Sequence, residues 1–255
     1  MVLNTQSPIA PIDPSTGVKP LRIMAFGAHP DDIEFLCAGT LAKCAQAGHA
    51  VAIAISTNGE VGSPTLSKGE IAAVREVEAR ASAQIIEASF FWMGYPDEFL
   101  FNSPQVRLHY IDTIRQFRPD IILCPDKEAD YHPDHTTTGQ IIWDTHVMVT
   151  VPNIVTQASP CEKIPEIIYF DTVAGINFLP EFYVDITRQW ETKAAMIACH
   201  QSQEAWLVAQ YSISCVEFGQ TQSRLRGFQA GCRYAEGFRR PKFFPGSTRP
   251  GGLFG

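Results

Sequence analysis

No segment of this 255-residue chain concentrates positive charge, and its opening stretch does not read as an anchor. Against 27 Asp and Glu there are only 20 Lys and Arg, a net charge of −7, and the lack of a basic cluster excludes a nucleic-acid or anionic-membrane surface. Residues 1–20 have no continuous apolar core, so neither a signal peptide nor a membrane span is expected there, and the expected location is cytoplasmic. The seven cysteines (Cys37, Cys44, Cys124, Cys161, Cys199, Cys215, Cys232) are odd in number, scattered and without a CxxC, which excludes a secreted-type disulfide framework and leaves reduced core thiols. Internal repeats and long low-complexity segments are also absent. The glycine-rich phosphate-binding fingerprints GxGxxG and GxxxxGK are missing, which argues against a nucleotide site.

What is present is an alternation of apolar runs and helical patterns. A chain of this length buries roughly 70 to 75 percent of its unfolded surface as one domain and needs no covalent staples. Leu21 to Ala28 and Ala50 to Ser56 read as buried strands, and LCAGTLAKCAQAG between them as a helix closed by Gly48. Ser67 and Glu70 have the spacing of a capping box, followed by a helix whose expected buried stripe is Ile71, Val74, Ala81 and Ile85. A strand near Ser89 to Met93, a helix opened by Ser103 and Pro104 and running to Phe117, a strand Ile121 to Cys124, and a helix from Pro133 through Trp143 complete the pattern. The expected fold is α/β, a Rossmann-like, mostly parallel sheet with helices on both faces. Strands at 166–170 and 182–187 and a helix from Thr187 to His200 predict a small C-terminal α+β extension. The expected division is a loose arm over 1–20, one domain over 21–240 and a Pro/Gly-rich tail over 241–255.

Two polar clusters carry the chemistry, AHPDDIE at 28–34 and DYHPDH at 130–135, each after an apolar strand. Parallel sheets bind ligands outside the carboxyl ends of their strands, where both clusters would lie. His29 and Asp32 are three apart, as are His132 and His135, so a helix start can point each pair to one side. Imidazole and carboxylate donors suit zinc, and three protein ligands leave a position open for water. Asp31 is then the natural base for a metal-activated water. Each residue alone has a plainer explanation, Asp32 and Asp134 as first-turn helix acids for instance, but two histidine-proline-aspartate triplets at one sheet edge point to a metal-dependent hydrolase.

AHPDDIE and HPDH, with TNGE, VREVEA, KAAMIACHQSQ and YAEGF in that order of motif types, resemble the PIG-L/LmbE family of zinc-dependent N-deacetylases over Arg22 to Phe238. The commonest first motif of the family has glutamate directly after the second aspartate, whereas here Ile33 precedes Glu34. The resemblance implies that His29, Asp32 and His135 hold Zn2+, that Asp31 is the general base, and that His132 stabilises the oxyanion with Asp134 orienting it. It also implies substrate contacts for Arg75, and for Asp97 a place on sugar hydroxyls. The implied reaction is removal of an N-acetyl group from an N-acetylglucosamine-type amino sugar or related small amide. A thiol-conjugate amide as substrate and a non-catalytic metal-binding module are the alternatives. A homo-oligomer, such as a hexamer, is implied in the same way. His200 and Gln203 belong to a family helix motif and are expected to pack, Glu60 is a candidate pocket residue, and Tyr95, Phe99 and Phe101 a candidate apolar wall. His49 and His109 receive no role.

Overall fold

The computed structural model describes residues 20–242, so the arm over 1–19 and the tail beyond 242 lie outside the described residues. In chain order the elements are β1 (Arg22–Gly27), α1 (Asp32–Leu36), α2 (Ala38–Gln46), β2 (Ala50–Thr57), α3 (Lys68–Ile85), β3 (Ser89–Tyr95), α4 (Pro104–Phe117), β4 (Ile121–Cys124) and α5 (Pro133–Thr145). They continue with β5 (Glu166–Phe170), β6 (Phe182–Asp185), α6 (Trp190–Ala198), α7 (Gln201–Tyr211), α8 (Cys215–Ala230) and β7 (Ala235–Arg239). The seven strands form one sheet in the order β3-β2-β1-β4-β5-β7-β6. β1 through β5 run parallel to one another, and β7 runs antiparallel to both β5 and β6.

Alternate side chains of the central strands enter two cores, which is why these strands read as unbroken apolar runs. Ile23 and Ala25 of β1 meet Ile53, Leu123 and Ile168 under α1, α2 and α6, whereas Met24 and Phe26 meet Ala52, Ile122 and Tyr169 under α4 and α5. Helices therefore cover both faces. No helix among the described residues is long and apolar enough to cross a membrane, and all seven cysteines are unpaired.

Local signals placed most helix ends. Glu70 accepts from both the amide and hydroxyl of Ser67, at 2.9 and 2.5 Å, at the start of α3, and Ser103 Oγ accepts from Val106 N–H at 3.3 Å at the start of α4. The buried stripe of α3 differs from expectation. Ile71 is buried, but Val74, Ala81 and Ile85 are exposed, and Arg75, Ala79, Ser82 and Ala83 face inward. The inner face of α3 packs on polar neighbours: Arg75 on the loop after β1, Ser82 on Glu34 and Glu78 on Ser202. The C-terminal extension is no appendage, since β7 inserts between β5 and β6 and completes the sheet.

Candidate metal centre

The strand order reverses between β1 and β4, and the crevice beyond their carboxyl ends is where such sheets take ligands. Both polar clusters open onto it. Thr57 at the end of β2 holds the first loop: its amide and hydroxyl both donate to the Ala28 carbonyl at 2.8 Å. Asp32 Oδ2 accepts from the amide of His29 at 2.8 Å, folding the HPDD segment into a tight turn. Asp31 in that turn has φ = +125°, a conformation a β-carbon disfavours and surrounding structure must impose. His132 caps α5, its Nδ1 accepting from the Asp134 amide at 3.2 Å, and His135 follows in the first turn.

Three of the expected ligands converge. His29 Nδ1 lies 3.1 Å from His135 Nε2 and 3.7 Å from Asp32 Oδ2, and His135 Nε2 lies 3.2 Å from Asp32 Oδ1. The outer nitrogens fix what the inner ones present. His135 Nδ1 faces Asp130 Oδ2 at 2.8 Å, and His29 Nε2 faces Asp97 Oδ1 at 3.0 Å and Asp134 Oδ2 at 3.4 Å. When the rings are neutral and protonated on those outer nitrogens, both inner nitrogens present lone pairs to each other and to a carboxylate, a repulsion relieved by a bound metal ion or, without one, by the extra protons that the raised histidine pKa values favour. Tetrahedral Zn–N bonds of about 2.0 to 2.1 Å place neighbouring donors about 3.3 Å apart, close to the spacing seen. The donor set therefore fits a divalent metal with N/O preference, backed by carboxylate-to-histidine contacts of the kind that orient metal ligands. His29 also groups with Asp97 and Asp134 through its other nitrogen. It groups as well with His132 and His135, the latter meeting its Nδ1 at 3.1 Å.

The charges follow from these contacts. Burial works against a charged His29, but Asp134, Asp32 and Asp97 together hold its pKa well above the usual histidine range. Burial opposes the charge on His135 as well, yet Asp32 and Asp130 raise it to about 9. Burial and the cationic tendency of His29 and His135 push His132 down, so it is neutral, and the Asp134 amide on Nδ1 puts its proton on Nε2. Burial pushes Asp31 up to about 6 against the opposing pull of Arg75.

Some expected roles change with the geometry. The Asp134 carboxylate is not on His132. It accepts from Glu98 N–H at 2.7 Å and Leu100 N–H at 3.3 Å, so Asp134 orients His132 through its backbone amide and the 96–102 loop through its side chain. Arg75, 4% exposed, donates to the Pro30 carbonyl at 2.6 Å and to Asp31 Oδ2 at 3.2 Å. Asp97, 3% exposed, sits behind His29 and accepts from Val61 N–H at 3.3 Å. His200 is buried 3.4 Å from Glu34, and Gln203 donates to the Gly62 carbonyl at 3.2 Å. Glu60 pairs with Lys68, while Phe99 and Phe101 stand exposed at the rim. Sequence reasoning missed Asp130 and Glu98. Asp130 lay in plain view two residues before His132, and the signal was the general need of a metal-binding histidine for a carboxylate on its far nitrogen.

A Rossmann-like sheet with a three-donor metal centre at its switch point, and a spare carboxylate beside it, defines a metal-dependent α/β hydrolase type. The PIG-L family, described as GlcNAc-PI de-N-acetylase, matches residues 24–146. Diacetylchitobiose deacetylase of Thermococcus kodakarensis is 28% identical over 246 residues, 92% of this chain and 86% of that protein. A solved N,N'-diacetylchitobiose deacetylase from Pyrococcus horikoshii superposes with a TM-score of 0.75 at 29% identity, covering 86% of this chain and 82% of that one. A 4-carboxy-2-hydroxymuconate hydratase from Pseudomonas putida shares the fold, with a TM-score of 0.77 at 21% identity over 91% of this chain and all of the other. The chain thus carries a PIG-L family match over residues 24–146 and is similar to diacetylchitobiose deacetylases over most of its length.

Proposed function

We propose that this protein hydrolyses the N-acetyl group of an N-acetylglucosamine-type amino sugar, with zinc held by His29, Asp32 and His135. The observation that carries the reading is the convergence of those three donors beside Asp31, a carboxylate that binds no other donor of the triad and is held by Arg75. The likeness to diacetylchitobiose deacetylases over most of the chain supports the choice of substrate class.

When bound, zinc polarises a carbonyl and lowers the pKa of water from about 16 to near 7. Asp31 takes the proton of the attacking water, and a pKa near 6 suits a base working close to neutral pH. Arg75 fixes that carboxylate and the strained turn that carries it. His132, neutral with its proton on Nε2, donates to the oxygen that gains charge as the tetrahedral intermediate forms. Asp31 then returns its proton to the departing nitrogen, releasing acetate and a free amine. Arg75 and Asp97 act first by holding Asp31 and His29. Exposed apolar side chains such as Val77 and Phe228 support self-association as part of the same reading.

The test is acetate release from N,N'-diacetylchitobiose by the zinc-loaded protein and by D31N. The expected result is turnover by the intact protein and a loss of at least about a hundredfold in D31N, the usual contribution of a general base, with zinc content unchanged. Equal rates in the two proteins would sink the mechanism.

A further inference from the structure

The loop after β3 holds a glutamate that neither the motif pattern nor the ligand set accounts for. Pro96 to Phe99 is a turn closed by Phe99 N–H to the Pro96 carbonyl at 3.3 Å, and its third residue, Glu98, has φ = +67°. A turn with positive φ at that position ordinarily takes glycine. Here the Asp134 carboxylate, itself 1% exposed, grips the amides of Glu98 at 2.7 Å and Leu100 at 3.3 Å and so imposes the conformation. The effect is to aim the Glu98 side chain at the reaction centre. Its Oε1 lies 3.2 Å from His132 Nε2, the atom whose proton is meant for the oxyanion, while 46% of the side chain stays open to solvent. Neither Arg75 nor Lys68 offsets it, since Arg75 is engaged with Asp31 and Pro30 and Lys68 with Glu60. Among the described residues the ion-pair partner of Glu98 is His132 alone.

A half-exposed carboxylate can yield His132 Nε2–H to a neutral carbonyl oxygen, but it stays close by and repels any anionic group brought to the same place. We propose that Glu98 is a specificity-determining residue that admits neutral or cationic N-acyl amino sugars, rejects those bearing an anionic group near the acyl carbon, and speeds departure of the acetate product. The proposal rests on the deacetylase reading for its substrates. The geometry alone carries its second half, the repulsion of a small carboxylate from the mouth of the centre.

The experiment compares wild type, E98Q and E98G, all zinc-loaded. For each, kcat/KM is measured on N,N'-diacetylchitobiose and on N-acetylmuramic acid, whose carboxylate hangs from O3 beside the acetamido group, and the acetate Kd by titration calorimetry. In E98Q the preference for the neutral sugar should narrow by about three- to tenfold and acetate should bind tighter by a similar factor, the size of one unit-charge repulsion across a partly solvated gap of about 5 Å. E98G should show the same tighter acetate binding with a Tm no lower than wild type, because glycine takes positive φ without strain. An unchanged sugar preference together with an unchanged acetate Kd in E98Q overturns the proposal. Should wild type cleave neither sugar, the deacetylase reading fails, and the acetate titration, which needs no turnover, still decides: tighter binding in E98Q upholds repulsion by Glu98, and equal binding overturns it.

Discussion

Asp130 illustrates how much of this centre lies one contact away from the donors. Its Oδ2 sits 2.8 Å from His135 Nδ1 and its Oδ1 accepts from the His132 amide at 2.9 Å, so one buried carboxylate fixes both the ring of a ligand and the start of α5. Replacing it by asparagine keeps the size but lets the ring of His135 choose either tautomer and weakens its basicity. D130N should lower zinc affinity by about 10- to 100-fold, the usual cost of losing such a partner, measured by competition with a chelator of known affinity. Wild-type affinity in D130N would show that the contact is incidental. The convergence of His29, Asp32 and His135 was legible because they stand in short motifs whose spacing fixes their side. The partners of those donors were not, because Asp97 reaches His29 from the loop after β3 and Asp134 from the first turn of α5, and which oxygen meets which nitrogen depends on turn geometry no spacing encodes.

At the scale of elements, α5 must lie very close to the loop that follows β4, since the two carry His135 and Asp130 respectively. Gly139 permits this. A β-carbon there would be driven into the Pro125 carbonyl oxygen and would stand 2.9 Å from the Lys127 nitrogen, both backbone atoms that cannot swing aside. G139A should therefore push α5 away from the loop, lowering Tm by about 3 to 10 °C for an overpacking cost of about 1 to 3 kcal/mol, and weakening zinc binding with it. A destabilised variant with wild-type zinc affinity would mean that helix and loop are not coupled as drawn. Helix ends such as Ser67 and Ser103 could be read from sequence because the cap residue and its target are neighbours. The inner face of α3 could not, because Arg75 and Ser82 are buried by polar partners on other segments. Helix α8 shows the same inversion: it buries Gln222, Ser223 and Arg226 while Phe228 is 87% exposed, so no apolar stripe announces it.

For the molecule as a whole, one ion pair joins the carboxyl-terminal third of the chain to its amino-terminal half. Glu236 on β7 accepts from the amides of Gly39 and Thr40 at 2.9 and 2.7 Å, capping α2 from the far end of the sequence, and Lys193 on α6 meets it at 2.6 Å. Lys193 also donates to the Phe35 carbonyl at 2.8 Å, and both charged side chains are essentially without solvent. This explains why β7 escapes a reading by apolar pattern: AEGFR carries its strand's central contact on a glutamate, and the pair is recognisable only once α2, α6 and β7 are packed. Removing one partner of such a pair leaves a buried charge uncompensated, at a cost of about 3 to 5 kcal/mol. K193M fills the space without the charge, so it should lower Tm by about 6 to 20 °C, read by calorimetry, while zinc content stays that of wild type because none of the metal donors touches the pair. A Tm shift near zero would show that Glu236 is neutral or solvated in the folded protein. Loss of zinc in a K193M protein that remains folded would instead mean that the extension transmits its packing to the metal centre.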